Sequence, residues 1–211
     1  MRDKREICGV ALTNKYFIFK RILDVVLSFL LILLLVLPMA LIWCTVAISS
    51  RGGGIFRQER IGRGGRRFIC YKFRTMYITA PESCPAAELD ATRFITPVGK
   101  LLRRTSLDEL PQLFNVLRGD MSLVGPRPLI AEEVKVHEGR QRLGVYSLRP
   151  GITGLSQIRG RNDLPDDQKV VFDAKYLEEF GILQDVKILG ATFGKVLRGE
   201  GVEAGKQSER T

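Results

Sequence analysis

VVLSFLLILLLVLPMALIWCTVAISS, residues 25–50, decides how this chain is built. Its 26 residues include no ionisable side chain other than the weakly acidic thiol of Cys44. At about 1.5 Å per residue, a helix of that length matches the roughly 30 Å hydrocarbon core of a bilayer. The run is too long and too far along the chain for a signal-peptide core, and no small-residue cleavage site ends it. A retained membrane anchor is therefore expected. Pro38 sits at the middle of the run, with thirteen residues before it and twelve after.

Basic residues flank both ends: Lys15, Lys20 and Arg21 before, then Arg51, Arg57, Arg60, Arg63, Arg66 and Arg67 after. A single crossing would place the positive charge on one side only, so this pattern suits a hairpin that enters and leaves on the same, cytoplasmic face. Each arm around Pro38 would be roughly 20 Å long as a helix, and the proline would turn the chain. A kinked single span satisfies the same residues, because proline is tolerated in transmembrane helices. The residues alone leave both readings open.

Outside this run the chain carries nearly all its charge. Of 211 residues 45% are hydrophobic, which excludes disorder of the whole chain. Four cysteines (Cys8, Cys44, Cys70, Cys84) without a C-x-x-C pair, and a single histidine, make neither a disulfide framework nor a zinc site. A reducing compartment is expected. The 33 Lys+Arg against 23 Asp+Glu give a net charge of +10 and call for an anionic partner, whether nucleic acid, phospholipid headgroups or phosphorylated small substrates. The stretch RQERIGRGGRR lacks the interleaved aromatics of a stacking platform, which argues against nucleic acid.

The pattern predicts a mostly helical α+β domain. Ile55-Phe56 and Phe68-Ile69-Cys70-Tyr71 read as two short strands of a β-hairpin, joined through Gly62, Gly64 and Gly65. Residues 79–91 read as a surface loop. Helices are expected over about 98–104, 109–118, 129–142, 166–180 and 183–198, linked by irregular Pro/Gly connections such as VGPRPL and LRPGITG. The last of these helices carries an apolar stripe that reads as core, with a place on the membrane surface as the alternative. The division is a membrane segment over 1–50, a domain over 51–199 and a loose tail over 200–211.

Chemistry concentrates in RRTSLDELPQLFNVLRGDMSLVGPRPL, residues 103–129. Asp108 and Glu109 have two readings. Ser106 and Glu109 have capping-box spacing, and acids in a first turn favour the helix dipole. Alternatively, the arginines at 103, 104, 118, 127 and 149 surround the acids and keep them ionised; Asp108 is then a nucleophile at phosphorus and Glu109 a hard oxygen ligand for Mg²⁺. His137, in EEVKVHEGRQR, reads as a solvated surface residue, and Cys44 as a small apolar residue of the anchor.

The ordered motifs Lys20-Arg21-x-x-Asp24, Gln58-x-Arg60-x-Gly62, Lys72-Phe73-Arg74-Thr75-Met76, Ser106-Leu107-Asp108-Glu109-Leu110-Pro111-Gln112-Leu113, Asn115 to Ser122, Val124-Gly125-Pro126-Arg127-Pro128 and Arg149 to Gly154 resemble one family. From Lys20 to about Arg198 the chain is similar to the monotopic phosphoglycosyl transferases, small bacterial sugar transferases that begin glycan assembly on polyprenol phosphate. The resemblance implies a re-entrant helix-break-helix at the membrane, followed by a compact cytoplasmic catalytic domain with amphipathic interfacial helices. Family members often carry Ser-Pro at the break, where this chain has Leu37-Pro38.

For the reaction, the resemblance implies that Asp108 attacks the sugar-bearing phosphorus of a UDP-sugar and expels UMP. Polyprenol phosphate, undecaprenyl phosphate in bacteria, then takes the phosphosugar from Asp108. Glu109 would hold Mg²⁺; Lys72, Arg103 and Arg127 would contact phosphate; Asp173 is a further candidate at the site. The blander reading makes Asp173 the partner of a nearby arginine. Phospholipid is an expected partner, nucleic acid is not, and the expected location is the bacterial inner membrane. The alternative function is a membrane-tethered basic module that binds polyanions without turnover.

Overall fold

The computed structural model describes residues 14–50, 52–80, 91–160 and 164–198. The loop expected over 79–91 lies mostly, and the tail over 200–211 wholly, outside the described residues. Helix α1 (Asn14–Ser50) contains the apolar run and remains helical through Pro38, where the sequence led us to expect a break. A proline removes one hydrogen bond and bends a helix without having to end it. One stripe of α1 is covered along its length, through Lys20, Asp24, Ser28, Met39, Val46 and Ser50. The opposite face is bare: Leu33, Leu34, Leu37 and Leu41 are 65–74% exposed.

Polar bonds fix the first turns of α1 to the domain. Arg21 donates to the carbonyls of Val116 (2.6 Å) and Leu117 (3.0 Å), near the C-terminus of helix α3 (Gln112–Arg118), where unsatisfied acceptors and a partial negative charge favour a cation. Asp24 accepts from the Leu123 amide at 3.1 Å. Lys20 pairs with buried Asp185, which also accepts from Tyr16 (3.0 Å) and Tyr176 (2.6 Å). At the far end of α1, Met39 and Val46 join Phe73 and Leu102 in an apolar cluster, and Trp43 packs over Gly54.

The expected hairpin is present and longer than its apolar residues announced. Strands β1 (Ile55–Ile61) and β2 (Arg67–Phe73) pair antiparallel from Ile55↔Phe73 to Ile61↔Arg67. Buried Asn115 ties β2 to α3, accepting from the Tyr71 amide (3.0 Å) and donating to the Ile69 carbonyl (2.6 Å). Helix α2 (Pro97–Thr105) begins with Thr96 accepting from the Gly99 amide at 2.9 Å, with proline in the first turn. A side chain at Gly99 would meet the Thr75 carbonyl at 2.0 Å, so only glycine lets α2 lie against the end of β2.

The Pro/Gly connections are not irregular. Ser122–Val124 (β3) and Gly151–Thr153 (β4) form a parallel pair with the register Ser122↔Gly151 and Val124↔Thr153. A Cβ on Gly151 would come within 2.1 Å of the Gly125 nitrogen; this close crossing is what the two glycines permit. The helix expected from 129 starts later, as α4 (Val134–Arg142), because Leu129 bridges to Ile61 instead. Helices α5 (Leu155–Arg159), α6 (Asp166–Glu178) and α7 (Ile182–Leu197) complete the described domain. On α7 only Ile188 and Asp185 are buried, while Leu183, Val186, Phe193 and Leu197 are 58–75% exposed. The stripe read as core is thus an outward apolar face.

Candidate active site

Helix α2 ends at Ser106, the one described non-glycine residue with positive φ (58°). The chain reverses there into a single 3₁₀ turn, Leu107–Glu109, which presents the two acids before α3 starts at Gln112. The Ser106 side chain makes no cap bond, and α3 is preceded by Pro111, so the capping box does not form. Glu109 instead accepts from the Lys72 ammonium at 2.7 Å, from β2. Arg103, on α2, is set by a 2.8 Å bond from its Nε to the Thr75 hydroxyl. Four predicted residues (Lys72, Arg103, Asp108, Glu109) are therefore brought together by a strand end, a helix end and the turn between helices.

Burial raises the Asp108 carboxyl to about 6, with the neighbouring Glu109 charge adding to the rise while Lys72 and Arg103 oppose it. Burial also lowers Arg103, opposed by Asp108. A carboxylate stripped of water but faced by two cations is largely ionised at neutral pH and weakly solvated, which suits a nucleophile.

Arg127 lies in the loop after β3, and its backbone carbonyl accepts from Arg140 Nη1 at 2.8 Å. Arg60, which the sequence reading did not single out as a site residue, comes to the same place from β1. It donates to the Pro128 carbonyl (3.2 Å) and to the Gln58 side chain. Burial and the neighbouring Arg127 charge lower the Arg60 guanidinium to about 10. The signal for Arg60 was strand alternation, which puts Phe56, Gln58 and Arg60 on the face that carries Lys72 across the hairpin.

Asp173 does not face this site. It is fully buried, with Oδ2 bonded by Arg140 Nε (2.9 Å) and Nη2 (2.6 Å) and Oδ1 by the Ser156 hydroxyl (2.9 Å). Its carboxyl is raised by burial, which outweighs the opposing charge and hydrogen bond of Arg140. With both oxygens engaged it supports the Arg127 loop from behind, through Arg140, instead of meeting a ligand; the blander reading of this residue is the one the structure supports. His137 is also not a free surface residue. Its ring is half-buried, with one nitrogen against the Tyr146 hydroxyl and the other 2.8 Å from the Ile130 carbonyl. A shallow cavity of about 620 Å³ lies beside it, bounded by Ile61, Ala131, Gln141, Arg142 and Tyr146, and none of the acids of the 3₁₀ turn lines it.

Among the described residues no cluster of three or more His, Cys, Asp or Glu side chains could hold a metal alone. Of the residues brought together here, Glu109 is the hard oxygen donor that would suit Mg²⁺.

Residues 15–199 match the model of the bacterial sugar transferase family. The chain is 40% identical over 200 residues to the undecaprenyl-phosphate galactose phosphotransferase of Salmonella typhimurium, covering 86% of this chain and 41% of that protein. It is likewise 40% identical to the exopolysaccharide production protein ExoY of Sinorhizobium fredii, covering 87% of this chain and 88% of the relative. With the UDP-glucose:undecaprenyl-phosphate glucose-1-phosphate transferase of Caulobacter vibrioides it shares 38% identity, covering 84% and 69%. The chain thus spans about two fifths of the Salmonella relative and most of ExoY. A match over nearly all the described residues, centred on the turn that carries Asp108 and Glu109, places the chain in the bacterial sugar transferase family.

Proposed function

We propose that this chain moves a sugar phosphate from a UDP-sugar to polyprenol phosphate through a covalent intermediate on Asp108, releasing UMP. The observation that carries the reading is the 3₁₀ turn, where Asp108 caps nothing and stands between Lys72, Arg103 and Glu109. The names of the relatives supply the substrate class, since the Salmonella and Caulobacter proteins are named for undecaprenyl phosphate as acceptor.

Asp108 attacks the phosphorus that bears the sugar; its bond to that phosphorus forms as the bond to the UMP oxygen breaks. Lys72 and Arg103 hold the non-bridging oxygens and offset the charge that builds on them. An oxygen of polyprenol phosphate then attacks the same phosphorus and Asp108 leaves. Glu109 would hold Mg²⁺, which would neutralise phosphate charge.

The same reading puts the domain on the cytoplasmic face of the bacterial inner membrane, in contact with phospholipid, with α1 as a re-entrant segment. Three observations support it. Both ends of α1 are held on one domain, at Arg21 and Asp24 and again at Val46, while the leucines between them are bare. Basic residues flank both ends. The outward face of α7 is apolar, as an interfacial helix requires.

The test is UMP release. Purified protein given UDP-sugars singly, without acceptor, should release about one UMP per active site and gain a phosphosugar on the peptide containing Asp108. Polyprenol phosphate should then discharge it, and EDTA should stop turnover until Mg²⁺ is restored. Absence of an adduct under trapping conditions would point to direct transfer, and full activity in chelator would remove the metal role of Glu109.

A further inference from the structure

Lys72 and Arg103 serve Asp108, but a second cation pair adjoins them and has no part in that account. Arg60 donates to the Pro128 carbonyl at 3.2 Å, which sets its guanidinium one residue from Arg127. Neither arginine has an ion-pair partner among the described residues, and the Arg127 side chain has no hydrogen-bond partner there. Two half-buried like charges that no carboxylate pairs with, Arg60 feeling only the longer-range carboxylate charges of Glu133 and Glu109, are a conformation that a bound anion would relieve. Arg127 is also held in place, because the Arg140–Asp173 pair grips its backbone carbonyl. Glu109 links the two cation groups electrostatically: Lys72 is bonded to it, and its charge acts on both Asp108 and Arg60.

The stereochemistry of displacement says which anion belongs there. When Asp108 attacks in line, the leaving UMP phosphate stands opposite it across the reacting phosphorus. When polyprenol phosphate attacks the intermediate, Asp108 is the leaving group and the attacking phosphate must stand opposite it in turn. The two phosphates use one position in succession. We infer that Arg60 and Arg127 form a single phosphate clamp that holds the UMP phosphate as it leaves and the polyprenol phosphate as it attacks. In the first step the Asp108 Oδ–P bond forms and the electron pair of the broken P–O bond departs on UMP; in the second, the acceptor P–O bond forms and the pair returns to Asp108. With both phosphates ionised, neither step transfers a proton.

The inference rests on the covalent reading above, and the experiment separates the two. Arg60→Gln and Arg60→Lys are made in the full chain in lipid nanodiscs, with melting temperature as the folding control. Each half-reaction is measured alone: UMP release against UDP-sugar concentration, and discharge of preformed adduct against polyprenol phosphate concentration. Arg60→Gln should raise both half-saturating concentrations at least tenfold, and Arg60→Lys should recover part of each, since it keeps the charge and loses the fork. A shift in only one half-reaction, or in neither, overturns the shared clamp. If the glutamine variant does not fold, the lysine variant decides by the same criterion, with a smaller parallel rise. Wild type that forms no adduct would instead refute the covalent reading.

Discussion

Replacing Asp108 by Asn should make the protein more stable while removing its turnover. The carboxyl is raised from an ordinary value of 3.8 to about 6, and a raised carboxyl means that the folded state disfavours the charged form. The full shift corresponds to at most about 3 kcal/mol at about 1.36 kcal/mol per unit. The value already includes the opposing pull of Lys72 and Arg103, and partial exposure screens what remains, so a gain of about 1–2 kcal/mol is expected at pH 7.5. For a chain of this size that is roughly 2–8 °C in melting temperature. The sign is set by linkage: the penalty on wild type is complete above the folded value near 6, shrinks as pH falls, and vanishes below the unfolded value of 3.8. Thermal unfolding in detergent, with chelator and without substrate, should therefore show variant and wild type converging between pH 7.5 and pH 4. A variant less stable than wild type at pH 7.5, or a gap that widens on acidification, would refute the reasoning. Retained UMP release would refute the nucleophile.

Other consequences can be measured independently. Lys72→Met removes a cation that lowers the Asp108 carboxyl, so the acidic limb of the pH–rate profile should move to higher pH and the rate at neutral pH fall at least tenfold. Asp173→Asn leaves Arg140 buried without its counter-charge and should destabilise the fold by about 3–5 kcal/mol, read by denaturant unfolding; loss of activity with unchanged stability would return Asp173 to the ligand site. Single cysteines placed near Lys15 and near Arg57 should both resist an impermeant thiol reagent in whole cells, and labelling of either one would end the re-entrant path.

What was legible in the sequence follows the length of each signal. Helices α6 and α7 lie within two residues of where the pattern put them, while α1 contains the apolar run but starts eleven residues before it, and the hairpin strands extend past their apolar residues. The parallel pair β3–β4 rests on three-residue strands whose glycines reveal their purpose only when Gly125 and Gly151 are seen to cross. Lys72, Arg103, Asp108 and Glu109 could be named together from ordered motifs, yet spacing alone could not decide cap from site. The backbone at Ser106, whose left-handed turn takes the acids out of the start of α3, removes the cap and leaves the site reading to the proposal above. Asp173 stayed open between the site and an arginine partner because that partner, Arg140, is 33 residues away and carries no local signature. The α7 stripe shows a limit of another kind: periodicity reports that a face is apolar, not whether protein or lipid covers it.

That ambiguity bears on how the reaction meets its second substrate. Leu107 precedes Asp108 in the same 3₁₀ turn and is 37% exposed, and Leu101 and Phe114, on the helices either side, are 61% and 45% exposed. Asp108 is thus one residue from bare apolar surface, although it is itself held among cations. On the proposed arrangement that surface enters the headgroup layer, and Lys72 and Arg103 lie at the depth of lipid phosphates. An isoprenoid phosphate then presents its phosphate oxygen to the site while its chain stays in the bilayer, which avoids exposing apolar tail to water at about 0.8 kcal/mol per methylene. The UDP-sugar, soluble and anionic, reaches the same cations from the other side. On that arrangement, a turn that joins an exposed leucine to a half-buried aspartate would bring the two substrates to one phosphorus without moving either far from its own solvent.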